Sequence, residues 1–61
     1  MYFYYFNIAH NGTHLFRTDQ YDEPAAKLIE QHLIARFPAS AGYSISCNWR
    51  PQMYNTREVK N

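Results

Sequence analysis

The chain has very little cysteine, very little glycine and no surplus of charge of either sign. Among 61 residues there is one cysteine and two glycines, and six Lys or Arg stand against five Asp or Glu for a formal charge of +1. The lone Cys47 rules out an internal disulfide and leaves no C-x-x-C redox pair or zinc ribbon. A reducing, cytoplasmic setting suits it. Scarce glycine and clear aliphatic positions exclude a low-complexity linker. The near-neutral balance excludes both a broadly basic nucleic-acid binder and an acidic mimic of nucleic acid. No apolar run approaches the roughly 18 residues of a membrane span, and the start Met-Tyr-Phe-Tyr-Tyr-Phe has no positive leader, so neither membrane insertion nor secretion is expected. No P-loop, G-x-S-x-G or H-E-x-x-H motif occurs.

What the chain does have is aromatic side chains, 18% of residues, within a 46% hydrophobic composition. That is enough for one small folded domain, close to the lower size limit for a core without crosslinks. Two β-favouring runs, Tyr2 to Ala9 and Thr13 to Thr18, flank Asn11-Gly12, a pair suited to the positive φ angles of a type I′ hairpin turn. A two-residue loop with regular pairing sets Ile8 opposite Leu15, Phe6 opposite Arg17 and Tyr4 opposite Asp19. Phe3, Tyr5, Asn7, His14, Phe16 and Thr18 then share the other face. Asp22-Glu23-Pro24 is a helix-start signal, and a helix is expected from about Pro24 to Phe37, with Ala26, Ile29, Leu33 and Phe37 as its inward stripe. From Tyr43 the alternation of Tyr43, Ile45, Cys47 and Trp49 with Ser44, Ser46, Asn48 and Arg50 marks a strand with one buried face.

These elements predict an α+β fold of ββαβ order over residues 1–51, a three-stranded antiparallel sheet of strand order 2-1-3 with one helix on one face. Residues 52–61 form a polar tail, either mobile or a short edge strand. The other sheet face is left open, although an exchange of faces would turn Tyr2, Tyr4 and Phe6 outward instead.

Each chemistry-bearing group also has a structural explanation. His10 and His14 are four apart but point to opposite faces of the hairpin, so they cannot share a metal ion. Cys47 alternates with Ile45 and Trp49 and belongs to a core. Asp22 and Glu23 suit a helix start, and Asp19 lies just before it. No cofactor, metal or catalytic residue is assigned, and the chain is not read as an enzyme.

The aromatic surplus points to binding, because five successive aromatics on one strand cannot all be buried. Phe3, Tyr5, His14, Phe16, Asn48 and Arg50 form the candidate contact surface, with Leu28 and Ile34 as a second one off the helix stripe. The expected function is that of a small binding protein that modulates or inhibits a larger host protein or complex by covering one of its surfaces. Such a role suits phage or mobile-element accessory proteins. The alternative is a single-stranded nucleic-acid module that stacks bases on Phe3, Tyr5 and Phe16 while Arg17, Arg50 and Arg57 contact phosphates. A homodimer would also account for apolar residues on several sides of the helix.

Overall fold

The computed structural model describes residues 2–50 and 55–61, with only the backbone described at Arg50 and Asn55. Strand β1 (Phe3–His10) and strand β2 (Thr13–Arg17) are joined by the Asn11-Gly12 turn, with φ of 50° and 85° at the two residues. His10 pairs with Thr13 to close it. Helix α1 (Glu23–Arg36) follows. Asp22 caps it by accepting from the Ala25 N–H at 3.1 Å, and Pro24 sits in its first turn, where no intrahelical donor is lost. Phe37 caps the other end and Pro38 stops propagation into a short 3₁₀ turn, Ala39–Ala41. Strands β3 (Tyr43–Arg50) and β4 (Asn55–Val59) complete an antiparallel sheet of order β2-β1-β3-β4.

The fold is therefore α+β with one helix, but the sheet has four strands where the sequence pattern predicted three. The additional strand comes from the polar 52–61 segment, whose residues 52–54 lie outside the described ones. Pairing with β3 supplies the backbone partners that an edge strand would otherwise lack.

A second correction concerns the hairpin. Regular pairing holds from the turn to Ala9 opposite His14, and then a β-bulge inserts Leu15, so Ile8 faces Phe16 and Asn7 faces Arg17. The expected pairs of Ile8 with Leu15 and Phe6 with Arg17 do not form. Uninterrupted pairing would have placed the Arg17 guanidinium and the Asp19 carboxylate on the helix-covered face, where desolvation is costly. The bulge sends Phe16 inward and Arg17 outward. Thr18 then fixes the new register: its N–H donates to the Phe6 carbonyl, and its Oγ1 accepts from the Phe6 N–H, both at 2.9 Å.

The core lies between α1 and one sheet face. Phe6, Ile8, Ile45, Cys47 and Val59 are buried from the sheet, and Ala26 and Leu33 from the helix. Burying a side chain the size of Phe6 or Ile8 contributes about 1.5–3 kcal/mol. Ile29 and Phe37, the rest of the expected stripe, are half-buried against this cluster. Phe37 joins the edges, its ring edge-on to Phe16 at 5.7 Å and to Tyr43 at 5.1 Å.

Asn61 ties the end of β4 to the end of the helix. Its side-chain amide donates to the carbonyls of Phe37 and Tyr43, and its own carbonyl accepts from the Ala39 N–H at 3.0 Å. Nearby, Gly42 has φ of 91°, a left-handed conformation that favours glycine, and a Cβ there would push the exposed Asn11 side chain aside. Replacing Asn61 with Ala removes two donor contacts to half-buried carbonyls and should lower unfolding free energy by about 1–2 kcal/mol in urea titrations. An unchanged midpoint would show that the clasp adds nothing.

Candidate interaction surface

The face of the sheet opposite α1 carries no second layer among the described residues. Alternation along β1 turns Phe3, Tyr5, Asn7 and Ala9 to this face, and the pairing registers place Arg17, Ser46, Asn48, Thr56 and Glu58 beside them in cross-strand rows. One row runs Arg17, Asn7, Ser46, Glu58. The next runs Tyr5, Asn48, Thr56.

Phe3 keeps 45% of its surface exposed, and Tyr5 is half-buried. The Arg17 guanidinium carbon stands 5.4 Å from the Tyr5 ring centroid, a cation–π contact that the expected register did not contain. His14 is exposed, with Nε2 hydrogen-bonded to Asn7 Oδ1 at 3.0 Å. Between His14 on one flank and Glu58 on the other, the small residues Ala9, Ser44 and Ser46 floor a shallow groove of about 420 Å³.

Three of the expected contact residues are placed differently. Phe16 lies on the helix side against Phe37, although 40% of its surface remains exposed at the sheet edge. Asn48 is on the open face but 92% buried, with Oδ1 accepting from Thr56 Oγ1 at 2.6 Å and Nδ2 without a partner. Ile34 is half-buried against the core cluster. It lies one helical turn from Glu30, whose carboxylate meets Arg57 of β4 at 2.6 Å. Leu28 is 62% exposed on the helix, away from the open face, and Arg50 registers opposite Phe3 with its side chain outside the described residues. The structure thus turns Phe3, Tyr5 and His14 to one face together with Arg17, which the sequence named only for the nucleic-acid alternative, and turns Arg57 to the helix side.

His10, on the covered face, stacks on Tyr43 at 4.5 Å and hydrogen-bonds through Nε2 to the Ala41 carbonyl, so it shares nothing with His14. Cys47 borders a cleft of about 190 Å³ between α1 and β4 together with Arg57 and Glu30. Burial pushes its thiol pKa up more strongly than the neighbouring guanidinium pulls it down. No group of three or more His, Cys, Asp or Glu able to hold a metal forms among the described residues, and no helix there is long and apolar enough to cross a membrane.

Compared with protein-family models, curated proteins and solved structures, the chain matches none.

Two outcomes follow from these placements. Asn48→Thr keeps a hydroxyl for Thr56, suits a strand and deletes the unpartnered amide, and should stabilise the fold by about 1 kcal/mol in urea unfolding; destabilisation would mean that the amide nitrogen is satisfied in solution. Cys47 should react with a disulfide reagent only as fast as the chain opens. With its folded pKa raised, stability should fall as pH climbs past the ordinary thiol range, and Cys47→Ala should flatten that slope. Immediate labelling in native buffer would contradict the buried placement.

Proposed function

We propose that the chain is a non-catalytic binding module that acts by laying its open sheet face on a larger macromolecule and covering the surface beneath. The observation that carries this reading is the aromatic pair on that face, Phe3 45% exposed and Tyr5 held under Arg17, with no layer of the described chain packed on it. Exposed aromatics with an arginine at the centre of a polar field have the composition of interface hot spots.

The size is adequate. A standard interface takes about 800 Å² from each partner, roughly one sixth of this chain's 4543 Å² surface. The open face and the β2 edge, where Leu15 and Phe16 are 49% and 40% exposed, are adjacent sources of that area. Three groups capable of chemistry are meanwhile engaged structurally: His10 against Tyr43, His14 with Asn7, and Cys47 inside the core. A buried free thiol fits a reducing cytoplasm. Inhibition by occlusion is the mode such a module offers, since what it brings to a partner is a surface.

A photo-crosslinking residue at position 3 should yield a discrete adduct in cells that express the chain, and the same residue at position 28 should not. Arg17→Glu should cut adduct yield by about tenfold or more if the cation sits at the centre of the contact. Adducts from position 28 alone would move the interface to the helix. An adduct with a second copy of the chain would identify self-association as the use of this face.

A further inference from the structure

Two opposite charges stand at the ends of one row on the open face. The pairing registers line up Arg17 of β2, Asn7 of β1, Ser46 of β3 and Glu58 of β4. Both end residues are exposed, and neither ion pair found among the described residues includes them. Three strand spacings, about 14 Å, separate their backbones, and Arg17 leans on the Tyr5 ring instead. On the helix side, by contrast, Glu23 meets Lys27 and Glu30 meets Arg57 within the chain. The row is thus positive at one end and negative at the other. The same row read in reverse is its complement.

Resting on the reading of the open face as a contact surface, we propose that at high concentration it takes a second copy of the chain, face to face about a two-fold axis that runs along the strands between β1 and β3. That axis exchanges β2 with β4, so Arg17 of each copy stands over Glu58 of the other. Packed sheets lie about 10 Å apart with strands within about 30° of each other, a gap that an arginine and a glutamate span together. An axis running across the strands along this row would set Arg17 on Arg17 and Glu58 on Glu58, so charge selects the first arrangement. Strand β1 lies next to the chosen axis, which brings Phe3 and Tyr5 of one copy beside the same residues of the other. Aromatic contacts then occupy the centre and ion pairs the rim. The groove floored by Ala9, Ser44 and Ser46 has only small side chains to offer, so the aromatic end carries the contact. Four strands, the longest of eight residues, make a face of roughly 500 Å². Two copies therefore bury about 1,000 Å² in total, the range of weak and exchangeable contacts. Dilute chain is monomeric, with the face free for its larger partner, and the β2 edge takes no part in the dimer.

The test is analytical ultracentrifugation of the whole chain from about 10 to about 500 µM, where a dimer with a dissociation constant on the order of 100 µM is expected. Arg17→Glu and Glu58→Arg each reverse one exposed charge, should keep the native circular dichroism, and should each weaken the dimer about tenfold or more. Mixed in equal amounts, the two variants should dimerise with each other as well as the original chain does, because every charge in the mixed pair again faces its opposite. Leu28→Ala should change nothing. In the unaltered chain, the amide resonances of Tyr5, Asn7 and Ser46 should shift with concentration, and that of Leu28 should stay fixed. A monomer at the highest concentration, single reversals that dimerise like the original, a mixture no better than its components, or shifts confined to the helix would each overturn the proposal. A monomeric chain that still gives an adduct with a larger partner from position 3 would overturn the second copy alone. A dimer without such an adduct would overturn the larger partner and leave the dimer standing.

Discussion

A single helix has to cover a sheet four strands wide. A helix with its side chains is about 10–12 Å across, whereas four strands spaced at about 4.8 Å need nearly twice that width. Helix α1 therefore seals only the middle, over Phe6, Ile8, Ile45 and Cys47 of β1 and β3. Each outer strand is held by a side chain that reaches inward. On the β2 side, the Phe16 ring meets Phe37 at the helix end. On the β4 side, Val59 enters the core and Arg57 extends to Glu30. That ion pair is half in water, with the Arg57 side chain 52% exposed, and pairs of this kind contribute about 0–1 kcal/mol. It bridges the cleft without filling it, and a cavity of about 190 Å³ remains beside Cys47.

This width also explains what the sequence could and could not disclose. The hairpin turn, the helix start at Asp22-Glu23-Pro24 and the alternation of β3 were legible because each depends on local chemistry: positive φ at Asn11-Gly12, a capping carboxylate, and one buried face. Strand β4 was legible only as one of two alternatives for the tail, an edge strand or a mobile segment. Its residues Asn-Thr-Arg-Glu-Val have a single aliphatic member, Val59, and become a strand because the edge of β3 is there to pair with. Ile34, off the expected helix stripe, is half-buried against the same core cluster, so the apolar arc of the helix is wider than the four-residue stripe.

Which side chains turn away from the helix was legible in part. Alternation alone places Phe3, Tyr5 and His14 outward, and they are outward. Phe16 was assigned by carrying regular pairing through five residues, and parity fails at the first bulge. Asn48 was assigned correctly to its face, but facing outward is not the same as being exposed, since its neighbours in the row are Tyr5 and Thr56. Parity predicts direction and does not predict cover.

The bulge at Leu15 therefore has consequences beyond its strand. Without it the open face would carry three aromatic rings, Phe3, Tyr5 and Phe16, with Arg17 turned under the helix. With it the face exchanges one ring for one cation, and that cation lies over Tyr5. An edge strand that presents regular pairing and an adjacent aromatic patch invites association with its own kind. Interrupting the pairing and placing a guanidinium on the ring opposes this on both counts. The same exchange changes the chemistry of the face, because a purely aromatic patch offers only apolar contact, whereas two rings with an arginine offer a positive charge as well. The feature that opposes edge-to-edge self-pairing of the free chain thus also sets what its open face presents.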